Sequence, residues 1–173
     1  PISHRPQSAL DNVLGMFANT LVLRGDFSND FSFVECLQQT RTTALAAYAN
    51  QDVQFEKILD SLDIPRNWSH SPLFQAMFVW QAAKPEALDT VENLTWSPLL
   101  FDNNTTKVDL TLSMTETGDY PNGKISGKFE YRQDLFKPKT IAAIADAFTT
   151  LIDSVIQSPE QSVSNLPIVS DRQ

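Results

Sequence analysis

The sequence holds few of the residues on which free-standing enzymes usually rely. Its only cysteine is Cys36, so the chain has no intramolecular disulfide, and we expect a reducing compartment, the cytoplasm. Its two histidines, His4 and His70, stand in separate loop segments, and neither has the spacing of a metal ligand. The sequence contains no Gly-x-Ser-x-Gly nucleophile elbow and no glycine-rich phosphate loop. These absences argue against a serine hydrolase and a phosphate-loop enzyme, and we expect no metal site.

Positive charge and long apolar runs are also scarce. Thirteen basic residues stand against 21 acidic ones, and the net charge of −8 argues against a general nucleic-acid binder. No apolar run approaches the roughly 18 residues needed to cross a bilayer, and the N-terminus lacks a secretion signal, so we expect no membrane association. The 173 residues, 42% of them hydrophobic, suit one globular domain with its own core. The chain begins at Pro1 rather than at methionine, and we interpret it as a piece of a longer protein.

Hydrophobic periodicity predicts an α/β (α+β) fold, a two-layer sandwich of three or four helices on a mixed, largely antiparallel sheet. The predicted helices begin near Ser8, Ser32, Asp52 and Ile141, and the last has the most regular apolar stripe. The predicted strands are residues 14–24, 73–80, 94–101, 107–116 and 124–131.

Single residues refine this outline. Ser32 and Asp52 are suited to cap the helices that follow them. Cys36 lies on an apolar stripe, which indicates a buried and inert thiol. Residues 73–80 are almost continuously apolar, as expected of a strand covered on both faces. Gly127 indicates a bulge or a point of close approach in the last strand.

The most informative stretch runs from Leu14 to Arg24. It opens at Gly15, continues through residues suited to a half-buried strand, and ends at the arginine. Asn19 stands in its middle, and a buried side-chain amide needs hydrogen-bond partners. Two interpretations follow from the pattern: Asn19 ties one loop to its neighbour, or it faces a ligand channel.

The pattern Gly-x-Phe-x-Asn-Thr-Leu-x-x-Arg at residues 15–24 resembles the fifth conserved motif of the condensation domains of nonribosomal peptide synthetases. Residues 50–56 and 66–73 are similar to the sixth and seventh motifs of that family. Residues 107–110, Lys-Val-Asp-Leu, and the passage 130–136 resemble its later segments, and all of these motifs stand in the family's order. The sequence departs from the family pattern at Gln54, Asn67, His70 and Val108, which stand in place of proline, aspartate, arginine and phenylalanine.

The resemblance implies the C-terminal lobe of a condensation domain, with a fold like chloramphenicol acetyltransferase. In that family the catalytic His-His-x-x-x-Asp-Gly motif belongs to the first lobe, and this sequence contains no such motif. The lobe would form one wall of a tunnel in which two carrier-bound thioesters are joined by a peptide bond. The resemblance therefore implies no catalytic residue in this chain and no activity of the lobe in isolation. The Asn-Thr-Leu form of the motif is similar to that of peptide-forming members.

The resemblance also implies which residues serve the tunnel. Asn19 and Arg5 would position substrate, since each offers hydrogen bonds but neither is a proton acceptor near neutral pH. The positions implied to maintain the motifs are Gly15, Arg24, Gln51, Asp52, Phe55, Glu56, Arg66, Pro72 and Asp109.

The implied partners are other domains of a synthetase. They are the N-terminal lobe, the donor and acceptor carrier domains, and an adjacent adenylation domain. No cofactor would bind to this chain directly, because phosphopantetheine is attached to the carrier domains.

We expect residues 1–158 to form the lobe and residues 159–173 to form an exit linker towards a following domain. Two other functions remain open. The chain could be a non-catalytic lobe that docks carrier domains, or an acetyltransferase-like enzyme that assembles its site between protomers. The latter needs an active-site histidine in a matching motif, which the sequence lacks.

Overall fold

A computed structural model describes residues 1–3, 5, 7–62, 64, 70–82, 104–117 and 123–169. The chain divides into two compact units, which are described separately. The helical unit comprises Pro1–Asn67 and Ala142–Gln173, and the sheet unit comprises Trp68–Ile141. Helices and a mixed sheet are both present, as the sequence predicted.

The helical unit opens with two short strands, β1 at Ile2–Ser3 and β2 at Ala18–Asn19, which pair antiparallel. The predicted strand 14–24 is thus reduced to two residues, because β1 offers only two residues for pairing. The predicted helix from Ser8 is a single 3-10 turn, Ser8–Leu10, which begins after Gln7 without a side-chain cap.

Helix α1 spans Phe33–Ala49 and begins as the sequence predicted. The hydroxyl of Ser32 accepts a hydrogen bond from the backbone N–H of Glu35, and the Glu35 carboxylate accepts one from the backbone N–H of Ser32. This reciprocal pair is a capping box, which satisfies two donors that the first helical turn would otherwise leave without partners. Cys36 is buried, as expected.

Helix α2 spans Phe55–Ser61, and its cap position is not Asp52. The residue at the cap position is Gln54, which has an extended backbone and makes no side-chain cap hydrogen bond. The carbonyl oxygen of Gln54 accepts from the N–H groups of Lys57 and Ile58, so the helix starts two residues later than the sequence predicted. A backbone turn precedes the helix, in which the N–H of Val53 bonds to the carbonyl oxygen of Asn50, and Asp52 belongs to that turn.

The described part of the sheet unit holds three adjacent strands. They are β3 at Ala76–Ala82, β4 at Leu110–Thr117 and β5 at Lys124–Tyr131. Strands β3 and β4 pair in parallel, and β4 and β5 pair antiparallel, in the order β3-β4-β5. The expected hairpin between β4 and β5 is confirmed by this pairing, although turn residues 118–122 lie outside the described residues. The predicted strand at residues 94–101 also lies outside them.

Two expectations for this sheet are wrong. Gly127 forms no bulge, because the register runs without a break from Met114 opposite Gly127 to Glu116 opposite Ile125. Strand β3 is not covered on both faces, because Phe78 and Trp80 remain 56% and 48% exposed. The apolar run therefore predicted the strand correctly, but it did not predict the solvent exposure of the side chains on one of its faces.

Helix α3, Pro138–Gln157, begins in the sheet unit and continues into the helical unit. It ends before Pro159, as predicted, and Ile141 on its apolar stripe is buried. By length and composition alone α3 would be able to cross a membrane, although the sequence predicted no membrane association. Its apolar residues lie on one stripe, however, while Asp146 and Asp153 are exposed, and this pattern is typical of a helix on a protein core.

After α3 the chain folds back onto the start of α1. A 3-10 turn at Val163–Asn165 follows, and the N–H of Val163 donates to the carbonyl oxygen of Phe31 at 2.8 Å. The hydroxyls of Ser162 and Ser164 both donate to the carboxylate of Asp30, and Leu166 is buried. Residues 159–169, the return segment, are therefore part of the helical unit. That residues 159–173 also lead to another domain stays a prediction.

Candidate functional site

The side chain of Asn19 links two of the sequence motifs. Its Nδ2 donates to the carbonyl oxygen of Gln51 at 2.7 Å and to that of Val53 at 2.9 Å. Its Oδ1 accepts from the backbone N–H of Thr20 at 2.8 Å. Both amide hydrogens are thus directed at backbone oxygens on the turn between α1 and α2. This geometry supports the first interpretation of Asn19, a tie between neighbouring loops.

Local backbone structure explains how the two motifs meet. Asn19 is the last residue of β2, so its backbone is held by pairing with Ile2. On the other side, Asn50 ends α1, and the N–H groups of Gln51 and Val53 bond to the carbonyl oxygens of Tyr48 and Asn50. These turn bonds hold the two carbonyl groups that Asn19 reaches. The chemistry required at position 19 is an amide donor, which an aspartate cannot replace because it has no hydrogen to donate when ionised.

Arg5 holds the loop that precedes Asn19. Its Nη1 donates to the carbonyl oxygens of Leu10 and Val13, the latter at 3.1 Å. Its Cζ lies 4.3 Å from the centre of the Phe17 ring, a cation–π arrangement. A Cβ added at Gly15 would come within 2.9 Å of that ring, so a side chain there would displace Phe17. These contacts give Arg5 a role in shaping its own loop, and a contact with substrate stays a prediction.

A charged cluster lies in the sheet unit, and two of its members, Asp109 and Asp134, stand in segments that carry the family resemblance. Arg132 donates from Nη1 to Asp109 Oδ1 at 3.4 Å, and from Nε and Nη2 to the Asp134 carboxylate at 3.2 and 2.5 Å. The hydrogen bonds from Arg132 lower the pKa of Asp134, and those to Asp134 raise the pKa of Arg132. The backbone N–H of Arg132 also donates to the carbonyl oxygen of Asp109 at 3.0 Å. In the sequence, Arg132 could have been recognised by its position directly after Glu130 and Tyr131, which carry part of the family resemblance.

This cluster borders an open groove of about 530 Å³. The groove is lined by residues 104–106 on one side and by residues 128–134 on the other. Lys128 on this wall pairs with Glu130 at 3.5 Å, so its positive charge is balanced by a carboxylate on the same strand. The buried Val108 stands beside Asp109, and it occupies the motif position where the family has phenylalanine.

The other predicted residues that the structure describes differ in exposure. Arg24, Asp52 and Glu56 are exposed, and Phe55 is half-buried in the first turn of α2. Pro72 is half-buried before β3. Arg66 lies outside the described residues, as does His4.

His70 is the histidine that the structure describes. His70 Nδ1 lies 3.0 Å from the carbonyl oxygen of the adjacent Ser71. In the part of the chain that the structure describes, no group of three or more His, Cys, Asp or Glu side chains is placed to hold a metal ion. Two carboxylates with lowered pKa, Glu35 and Asp30, owe the shift to hydrogen bonds from Ser32 and from Ser162 and Ser164, which are structural contacts.

The family description "Condensation domain" matches residues 1–173, the whole chain. The chain belongs to the condensation-domain family. The resemblance seen in the sequence is confirmed at the level of the family, while the motif roles of Asn19 and Gln51 stay predictions.

This condensation-domain chain is 42% identical over 170 residues to a linear gramicidin synthase of Brevibacillus parabrevis. The match covers 98% of the chain but only 3% of that relative. The chain therefore spans a small part of the curated relatives that it matches.

Solved structures show the same fold. The chain superposes on the crystal structure of the X-domain from teicoplanin biosynthesis with a TM-score of 0.79 and 26% identity, covering 92% of this chain and 36% of that one. The complex of the X-domain and OxyB from teicoplanin biosynthesis gives a TM-score of 0.78 and 25% identity, with 95% and 35% coverage. The predicted α+β condensation fold is confirmed by these likenesses.

Proposed function

We propose that this chain is the C-terminal lobe of a nonribosomal peptide synthetase condensation domain and forms one wall of the tunnel where peptide bonds are made. The observation that carries the proposal is the family match over the whole chain, combined with a sequence that lacks the family's His-His-x-x-x-Asp-Gly motif. A lobe that positions substrates would have this composition, whereas a complete condensation enzyme would need the histidine.

In the proposed reaction the acceptor amine attacks the carbonyl carbon of the donor thioester. A C–N bond forms, the C–S bond breaks, and the phosphopantetheine thiol leaves with a proton. The base that takes the amine proton would come from the first lobe. This chain would contribute shape and hydrogen-bond donors.

In the proposed function, Asn19 and Arg5 act mainly by holding the loop that they contact. Their donors are directed at the carbonyl groups of Gln51, Val53, Leu10 and Val13, so the loop of residues 10–19 would hold the tunnel wall in shape. Catalysis depends on the placement of reacting groups, and displacement of a supporting loop lowers the rate without removing the chemistry. A direct contact of either side chain with substrate stays a prediction.

The proposed partners are the first lobe, the donor and acceptor carrier domains and an adenylation domain of the same synthetase. Phosphopantetheine would enter the tunnel on the carrier domains, and the protein would be cytoplasmic. The similarity to linear gramicidin synthase supports a setting in the biosynthesis of a secondary metabolite.

A dipeptide-formation assay with both carrier-loaded aminoacyl thioesters tests the proposal. The chain alone is expected to give no product, and the chain joined to a first lobe with the His-His-x-x-x-Asp-Gly motif is expected to turn over repeatedly. The matched control is the same joined protein with the second histidine of that motif replaced by alanine. Multiple turnovers by the isolated chain would overturn the half-enzyme proposal.

A second function is favoured by one specific observation. A relative of 25% identity with the same fold was solved as a complex of the X-domain and OxyB, so the fold is compatible with a binding role. A non-catalytic lobe of this kind would bind its partner equally well in the histidine-to-alanine control. If the joined protein binds loaded carrier domains but forms no dipeptide, the binding role replaces the catalytic one.

A further inference from the structure

The first turn of α1 is held from outside the helix by the return segment. The backbone N–H of Val34 donates to the carbonyl oxygen of Pro159 at 3.3 Å, and Ser32 pairs with Ser162 in an antiparallel bridge. N–H groups in the first turn of a helix have no carbonyl partner within the helix, so each needs a partner elsewhere. The return segment therefore adds to the capping box a partner from a distant part of the chain.

The residues just before α1 extend this contact. The N–H of Val163 donates to the carbonyl oxygen of Phe31 at 2.8 Å. The hydroxyls of Ser162 and Ser164 donate to the carboxylate of Asp30, the second of them at 2.6 Å. Backbone and side-chain hydrogen bonds thus fasten the return segment to the place where α1 begins.

The return segment itself is held by a small anchor. Leu166, which is 6% exposed, is its buried residue, while Pro159 and residues 167–169 are exposed. Few buried apolar contacts and solvent-exposed hydrogen bonds are typical of segments that open locally at a low cost in free energy. A segment of this kind can separate from α1 before the whole unit unfolds.

Helix α1 buries little of its own surface. The structure describes all of its residues, and Cys36, one turn after the N-cap, is its buried residue. The helix also contains Thr40, Thr42 and Thr43, and threonine has a lower helix propensity than alanine or leucine. Because helix formation is cooperative, loss of contacts at the first turn weakens the turns that follow.

The other end of α1 carries the turn that Asn19 binds. The N–H of Gln51 donates to the carbonyl oxygen of Tyr48 in the last turn of the helix. The carbonyl oxygens of Gln51 and Val53 accept from the Asn19 amide at 2.7 and 2.9 Å. One helix of 17 residues, about 25 Å long, thus joins the return segment to the hydrogen bonds of Asn19.

We infer that the return segment is a strap that acts through α1 to fix the turn bound by Asn19, and so regulates the candidate functional site. With the strap seated, the first turn of α1 is capped and the turn of residues 50–53 is held. With the strap released, α1 frays and the carbonyl groups that Asn19 reaches lose their fixed position. The coupling is carried by hydrogen bonds and one helix within a single compact unit. The regulatory role rests on the proposed function, whereas the coupling itself does not.

Hydrogen exchange of the isolated chain tests the coupling with a matched pair of aspartates from one loop. Asp30→Ala removes the carboxylate that accepts from the return segment, and Asp26→Ala removes one that accepts from Ser28 within the loop. Exchange is followed by mass spectrometry of peptides that cover residues 31–40 and 46–55. A peptide from β4 reports unfolding of the rest of the chain.

Asp30→Ala is expected to raise the exchange rate at least about threefold in both α1 peptides and to leave the β4 peptide unchanged, because the opening is local. Asp26→Ala is expected to leave all three peptides at the wild-type rate. Ser164→Ala should act like Asp30→Ala, and Ser164→Thr, which keeps the hydroxyl, should retain the wild-type rate.

Three results would overturn the strap. Faster exchange in residues 31–40 alone would show that the return segment caps α1 without reaching the turn. An equal rise in the β4 peptide would show that the whole chain unfolds. An equal effect of Asp26→Ala, or none of Asp30→Ala, would show that the contact with the return segment is not what holds α1.

Dipeptide formation by the complete condensation domain tests the regulation. Asp30→Ala is expected to lower kcat about two- to tenfold with little change in KM, since the supporting turn is displaced while the base in the first lobe is untouched. Asp26→Ala is the control and should keep the wild-type kcat. Faster exchange at residues 46–55 with an unchanged kcat would refute the regulation. If the wild-type complete domain forms no dipeptide, the proposed function and the regulation both fail, while the coupling is still decided by the exchange rates.

Discussion

Asn19 donates a side-chain hydrogen bond to the carbonyl oxygen of Gln51 at 2.7 Å, across 32 residues of sequence. Both residues belong to motifs that carry the family resemblance, and the bond explains why an asparagine rather than an aspartate suits position 19. The same amide reaches Val53, so one side chain holds two carbonyl groups of the turn that leads into α2. Residues that resemble a substrate site in sequence thus act on each other in the structure.

Asn19→Ala should destabilise the chain by roughly 1–3 kcal/mol, because two backbone carbonyl groups lose their donor. Asn19→Asp should be at least as damaging, since an ionised carboxylate faces the same two carbonyl oxygens. Urea unfolding followed by circular dichroism measures both, with Asn12→Ala in an exposed loop as the control. A loss below about 0.5 kcal/mol, the size of an ordinary surface effect, would show that the tie is not structural.

Ser32→Ala should cost about 1 kcal/mol, the usual effect of removing an N-cap. Asp52→Ala should cost less than Ser32→Ala, because Asp52 stands two residues before the cap position of α2. The two variants are compared by their denaturation midpoints under identical conditions. A larger loss of stability for Asp52→Ala than for Ser32→Ala would support the sequence-based prediction that Asp52 caps α2.

Leu166→Ala should destabilise the chain by about 2–5 kcal/mol, since Leu166 is only 6% exposed and its removal leaves a cavity. Phe78→Ala should cost the isolated chain less than Leu166→Ala, although the apolar run of β3 had indicated a core position. Thermal unfolding of the two variants gives the order directly. If truncation at position 166 is nearly neutral, the return segment is not part of the folded unit.

The contact between Asp30 and the return segment should depend on pH. Hydrogen bonds from Ser162, and then from Ser164, lower the pKa of Asp30 in the folded state below its unfolded value. The stability from this carboxylate is therefore present above the unfolded pKa and is lost as the pH falls through the lowered folded pKa.

The expected result is a melting temperature that falls in acid more steeply for the wild-type chain than for Asp30→Asn. At neutral pH Asp30→Asn should melt lower than wild type, because the amide is a weaker acceptor for the two hydroxyls. Ser164→Ala is the partner control and should reduce the same acid dependence. Parallel melting curves for wild type and Asp30→Asn across the acid range would contradict the assignment.

The sequence by itself determined the parts of the fold that depend on neighbouring residues. The cap at Ser32, the bounds of β5 and the stripe of α3 follow from residue spacing, because caps, strands and helices are stabilised within a few positions. The sequence patterns that resemble the family's motifs were also visible in the sequence alone, and they were sufficient to identify the family.

Only the tertiary structure decided which distant groups meet. The partners of Asn19 lie 32 and 34 residues away, Arg132 reaches Asp109 across 23 residues, and Asp30 meets Ser164 across 134. Such contacts form only when the chain brings distant segments together. The periodicity of hydrophobic residues along the sequence does not indicate which distant segments meet. The exposure of Phe78 and Trp80 has the same origin: an apolar strand needs a covering layer, but whether that layer lies in the chain depends on its three-dimensional neighbours.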